Sequence, residues 1–146
     1  MANIVLRLSC GNVSDNANIN PNLSLGGAIS SAAGAIITTS NTTLENLFDK
    51  ISKTQNSSNA VDYRCVYIQN ISASPADIFS SWELYVANNP IANFRFSLSP
   101  TRNTAAVVIA TEDTAPSGVT FGSTLPTSGS PLAATGITLN QNDNIS

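Results

Sequence analysis

The segment Val61-Asp62-Tyr63-Arg64-Cys65-Val66-Tyr67-Ile68-Gln69-Asn70 constrains the fold more than any other part of this chain. It alternates, and it is rich in aromatic and β-branched residues, which suit a pleated, half-buried surface. Successive side chains of a strand point to opposite faces. Tyr63, Cys65 and Tyr67 therefore share one face, and Arg64, Val66 and Ile68 share the other. Both faces carry apolar groups, as a central strand requires. One face is expected to pack the core. The other, with Arg64, is expected to meet a helix or a neighbouring subunit. Two segments of the same kind follow: residues 82–86 turn Trp82, Leu84 and Val86 inward, and residues 94–98 turn Phe94, Phe96 and Leu98 inward with Arg95 and Ser97 outward.

Further short strands are expected at 3–8, 35–39, 105–110, 119–121 and 136–139, separated by turn clusters such as Asn20-Pro21, Asn88-Asn89-Pro90 and Pro116-Ser117-Gly118. One helix is legible. Thr42-Thr43-Leu44-Glu45 fits a capping box, and Leu44, Leu47, Phe48 and Ile51 then make one apolar stripe. Two turns are marginal in water, so this helix should plug one end of a sheet core. A parallel α/β fold needs a helix between strands, and one helix is too few. The expected fold is thus all-β: an antiparallel β-sandwich, immunoglobulin-like or jelly-roll-like, of about seven to eight strands with one short helix. Residues 1–146 form a single domain, with polar loops at 10–24 and 52–60, the stretch 53–59 being flexible, and a Gly/Ser/Thr/Pro-rich segment at 122–135.

The sequence closes with a strand and a polar turn (137–146) just where a return strand should start. An unpaired sheet edge is expected there, filled by a partner strand or by chain beyond these residues.

Only 10% of residues are charged, against about 25% in an average soluble domain. Ser, Thr and Asn replace the missing charge, with 18 Asn in all. Such a polar but barely ionic surface is easiest to explain if much of it is covered in an assembly. The net charge is −3 and the six basic residues are dispersed, so no electrostatic footprint for nucleic acid is present. The apolar run Ile4-Val5-Leu6 is broken by Arg7, too short for a signal peptide, and no stretch approaches the length of a membrane span.

Histidine is absent from the sequence, which removes Ser-His-Asp and Cys-His catalysis and histidine metal sites. Gly26-Gly27 is followed by neither a Lys nor a helix, so it is no phosphate loop. The nine carboxylates nominate no facing pair. Glu112-Asp113, and Asp15 among Asn12, Asn16 and Asn18, are oxygen-rich enough to consider for Ca²⁺, but each reads more simply as a solvated turn. Cys10 and Cys65 read as two buried small hydrophobes, with a disulfide as the alternative if the fold brings them together. Trp82 reads as core, with an exposed sugar or protein platform as the alternative. No catalytic, metal or cofactor site is expected, and the chain is not expected to be an enzyme. The candidate interface residues are Arg64, Arg95 and Arg102, whose guanidinium groups suit bidentate contacts to a partner's carboxylates, and Ile145 at the unfinished edge.

Three stretches taken together resemble small structural proteins of tailed bacteriophages: Gly26-Gly27-Ala28-Ile29-Ser30 with Asn46-Leu47-Phe48-Asp49, the strand Asp62 to Asn70, and Ala115-Pro116-Ser117-Gly118-Val119-Thr120-Phe121. The resemblance spans residues 25–140. It implies a non-enzymatic virion β-sandwich without fixing its position in the particle; the size, the single sandwich, the low-charge surface and the lack of active-site chemistry favour a capsid decoration (cement) protein bound to the major capsid protein. The alternative is a tail, collar or baseplate component or a host-surface adhesive. It further implies partners among phage capsid protein or other virion subunits, self-association, neither nucleic acid nor membrane as partner, and residence in the virion after synthesis in a host cytoplasm. Proteins of that group often end in a further strand carrying aromatic and Arg residues, which this sequence lacks.

Overall fold

The computed structural model of the chain describes residues 3–37, 47–48, 52–87, 94–99 and 101–146. The expected helix at 42–51 falls outside these residues, except for Leu47 and Phe48, which form a bend.

The described chain is all-β and antiparallel, with eight short strands. The strands β1 (Ile4–Leu8), β2 (Ile36–Ile37), β3 (Val66–Asn70) and β8 (Asn144–Ile145) form one sheet in the order β2-β1-β3-β8. Two ribbons accompany it: β4 (Phe79–Ser80) pairs with β7 (Thr138–Leu139), and β5 (Glu83–Leu84) pairs with β6 (Leu132–Ala133). The alternating segment is central as expected. Its strand begins at Val66, pairs along its whole length with β1, and is flanked on the other side by β8.

Register explains the core. Leu6, Ile68 and Ile145 lie opposite one another across three strands, so their side chains share a face. On that face Ile68, Trp82, Ala134, Leu139 and Ile145 form the buried cluster, with Ile4, Phe79, Leu84, Leu98 and Ile137 packed against it. Leu139 and Ile145 are fully buried, and each such side chain contributes about 1.5–3 kcal/mol of transfer free energy. Trp82 belongs to the core and stacks on Phe79, with ring centroids 5.6 Å apart and planes 15° apart. Residues of and beside both ribbons thus pack on this face of the sheet.

Asn70, fully buried at the end of β3, joins the layers. Its amide nitrogen donates to the carbonyls of Asp77 at 2.8 Å and Leu139 at 3.1 Å. Its side-chain oxygen accepts from the Ser72 N–H at 3.1 Å and the Ser72 hydroxyl at 2.5 Å. An amide has two donors and one acceptor oxygen, and all are used, so burial leaves none unpaired.

Several expectations are corrected. Residues 94–98, 105–110 and 119–121 form no regular strand; Ala106 makes a single bridge to Gly27. The strand at 35–39 is seen as Ile36–Ile37, and 38–39 fall outside the described residues. The loop expected at 53–59 instead holds a short helix, α1 (Lys53–Ser57). Ser52 caps it: its hydroxyl accepts from Gln55 N–H, and the Gln55 side chain accepts from Ser52 N–H. The open edge expected at 137–146 is closed, because Asn144–Ile145 is itself the return strand on β3. The outer side of β8 is covered too, with Ser99 N–H donating to the Ser146 carbonyl at 2.6 Å and Asn103 N–H to the Asn144 carbonyl at 2.9 Å.

Candidate functional site

The other face of β3 carries Tyr67, only 1% exposed, and a layer of loops lies over it. Residues 25–28 run through this layer like an extra strand. On one side Cys10 N–H donates to Ala28 carbonyl at 2.8 Å and Gly11 N–H to Gly26 carbonyl at 2.7 Å. On the other, Gly27 and Ala106 exchange two bonds of 3.0 Å, and Ile109 N–H donates to Leu25 carbonyl at 3.0 Å. The Tyr67 hydroxyl enters the Gly27–Ala106 bridge from below. It donates to Gly27 carbonyl at 2.6 Å and accepts from Ala106 N–H at 2.9 Å.

Glycine is required here. Gly26 has φ +89°, and a Cβ built on it would stand 1.8 Å from the Val107 carbonyl oxygen. The close approach of the 107–108 backbone is thus possible only without a side chain. Val107 and Val108 stand at the surface there, 46% and 42% exposed.

Ser9 and Ser24 tie the layer to the sheet. Ser24 hydroxyl accepts from Ser9 N–H at 2.9 Å and donates to Cys65 carbonyl at 2.5 Å, and Ser9 hydroxyl accepts from Gly26 N–H at 3.0 Å. Both cysteines are free thiols, with Cys10 buried. Burial pushes the Cys65 thiol up to about 11, against smaller opposing bonds from Ser9 and Gly26. Burial likewise pushes the Tyr67 phenol up to about 12.

The four candidate interface residues do not come together. The Arg64 side chain is 1% exposed and turned inward, so it is not a free interface group. It forms an ion pair with Glu112, donates from Nε to the Leu47 carbonyl at 3.0 Å, and lies over the Phe48 ring at 5.6 Å from its centroid. Ile145 is a core residue, closed over by the chain's own fold. Arg95 is exposed and donates to its own neighbour's carbonyl, that of Phe94. Arg102, 44% exposed at its side chain, bonds the Thr138 carbonyl at 2.9 Å and Asp143 at 3.0 Å. It lines an open groove of about 570 Å³ with Thr101, Gly136, Ile137 and Thr138.

Asp143 is the hub of this corner. Burial alone would raise its pKa. Hydrogen bonds from Asn103 and from the Asn140 backbone and side chain, with the charge of Arg102, outweigh that and hold the carboxyl below its ordinary value.

Both carboxylates of the Glu112-Asp113 pair are engaged within the chain, Glu112 by Arg64 and Asp113 by the Thr111 hydroxyl. Asp15 accepts from Ala17 N–H at 3.1 Å, a local turn. Among the described residues no group of three or more His, Cys, Asp or Glu is placed to hold a metal ion, and no helix is long and apolar enough to cross a membrane.

The site that emerges is the exposed apolar pair Val107 and Val108, carried on a hydrogen-bonded, glycine-dependent layer. The sequence shows 105–110 as a compact apolar run, which looks the same whether its side chains face in or out. No family model matches the chain, and comparison with curated proteins and with solved structures likewise gives no match.

Proposed function

We propose that this chain is a non-enzymatic structural subunit of a tailed-bacteriophage particle, a capsid decoration protein that binds the major capsid protein. The observation that carries the reading is the exposed apolar pair Val107 and Val108, held out over Gly26 on a chain with only 10% charged residues. Apolar side chains held out by a rigid support suit a protein surface that is covered in use. The resemblance of residues 25–140 to phage structural proteins supports the virion as the setting, and the small size and low charge favour the capsid shell within it. The buried polar groups described above are engaged in tying loops to sheets, which suits a part that bears load. The adhesive alternative counted on Trp82 as a platform, and Trp82 is only 7% exposed.

The test is co-sedimentation of the purified protein with undecorated shells, followed by heating of the particles. Binding that raises shell stability, and that is lost in Val107→Asp and Val108→Asp variants with unchanged thermal unfolding, is the expected result. Shells of the same stability with and without the protein would overturn the cement role.

A further inference from the structure

The strands that follow Gly122 have an unusual property. β6 pairs with β5, β7 with β4 and β8 with β3. Every receiving strand precedes Gly122 and every donated strand follows it. Apart from tight turns such as Thr127–Ser130, the residues after Gly122 pair with the body and not with one another. Residues 125–146 are thus an arm without a fold of its own. The arm nevertheless completes the core, because Ala134, Leu139 and Ile145 are among its most buried side chains. The body also has prepared contacts for it. Val86 N–H donates to Pro126 carbonyl at 3.1 Å, and the Asn70 amide grips Leu139 carbonyl.

The connection is Gly122-Ser123-Thr124, all exposed, held to the body by one bond from Gly122 N–H to Phe96 carbonyl at 3.0 Å. Released, three residues reach at most about 10 Å, so a body exchanging arms must lie against its partner.

We propose that the arm is exchanged between two copies of this chain, each copy's residues 125–146 filling the slots on β3, β4 and β5 of the other. The occupant is a second copy because those slots are cut for this segment: three registers, the Asn70 grip and the pocket for Ile145 are satisfied by the same residues whether they come from one chain or two. Closed and exchanged forms then share every contact beyond the hinge, and concentration decides between them. The chain's own arm competes at an effective concentration of order 1 mM, so exchange belongs to crowded, adjacent copies and not to dilute solution. The inference rests on strand pairing and stands apart from the virion reading.

Glu83 and Ala133 are register partners on β5 and β6, and both are exposed. The neighbouring pair is bonded from Ala134 N–H to Trp82 carbonyl at 3.0 Å. That leaves 83 and 133 as a non-hydrogen-bonded pair, with Cα atoms about 4.5 Å apart, within disulfide reach. The experiment mixes full-length Glu83→Cys with full-length Ala133→Cys at high concentration, passes them through mild denaturant and back, oxidises them, and separates products by non-reducing electrophoresis. The unsubstituted chain serves as background for Cys10 and Cys65. Exchange places the two new thiols in register on different molecules, so the mixed dimer should exceed either like dimer about tenfold. Random collision gives about twofold. A mixed dimer at the random level overturns the proposal.

Discussion

The Asn70 side-chain amide donates to the main-chain carbonyl of Leu139 at 3.1 Å, across 69 residues of sequence, and so fixes the ribbon layer to the end of the central strand. Few side chains in the molecule hold so much together. Asn70→Ala removes both donors and the acceptor at a site without water access, leaving the carbonyls of Asp77 and Leu139 each short of a partner. The expected loss is about 3 kcal/mol or more, read as a lowered urea midpoint. Asn70→Asp should be no better, because a carboxylate cannot donate to either carbonyl. A shift below about 1 kcal/mol in both variants would contradict the role.

The glycine layer makes a contrast of two substitutions. Gly26→Ala must displace the Val107 backbone, since the new Cβ would stand 1.8 Å from its carbonyl oxygen at φ +89°. Gly118→Ala has positive φ as well, +74°, but nothing within 4 Å. The second should cost only the backbone strain, about 1–2 kcal/mol. The first should cost about 4 kcal/mol or more, or prevent folding. Thermal unfolding of the two side by side gives the answer.

Tyr67 and Cys65 predict failure in base. Each has a folded pKa above its ordinary value, Cys65 about 11 against 9.0 and Tyr67 about 12 against 10.0. A raised acid is held in its neutral form by the fold. The stability it contributes is therefore complete below the unfolded pKa and disappears as pH rises through the folded one. The chain should lose stability progressively from about pH 9 to about pH 12. Tyr67→Phe removes the later part of that loss. It should also lower stability at neutral pH by about 1–3 kcal/mol, because the hydroxyl's bonds to the Gly27 carbonyl and the Ala106 N–H are lost and those two groups keep only each other. Urea midpoints across that pH range separate the two effects.

Asp143 predicts the acid limb. Its folded pKa is lowered, so the stability it contributes is present above the unfolded value, near 3.8, and is lost as pH falls through the folded one. Asp143→Ala should unfold more easily at neutral pH, and its stability should fall less than that of the native chain as pH drops below the ordinary carboxylate value, near 3.8. Parallel acid-limb slopes for the two proteins would show that the Arg102–Asp143 corner contributes nothing.

The central strand was legible because alternation of large apolar residues reports burial on both faces, and Tyr67 and Ile68 are both buried. β1 was legible for the same reason. The strands that sequence reading missed, such as β6 and β8, are two residues long and held by distant partners, so no local period exists to be read. The helix at 53–57 was missed although Ser52-Lys53-Thr54-Gln55 carries a capping box as clear as the one read at Thr42–Glu45. That cap has no apolar stripe behind it, unlike Thr42–Glu45, so periodicity gives the helix no support. Arg64 is not the outward interface group that strand parity suggests, but its contacts to Leu47 and Phe48 do fall in the segment 44–51 that its face was expected to meet. The chain is not yet in a ladder at that position, and Glu112, remote in sequence, decides where the guanidinium goes.

Both flanks of β3 come from far away along the chain. Ile4 pairs with Asn70, and Ile145 pairs with Ile68. Loop closure on this scale has to be completed before pairing gives anything back, so folding should be slow for a chain of this size. During synthesis, the first seventy residues can assemble β1 on β3. The other edge of β3 then waits, hydrophobic and hydrogen-bond hungry, until Ile145 has left the ribosome. Yield in the cell should accordingly depend on how that half-built sheet is kept from meeting others like it.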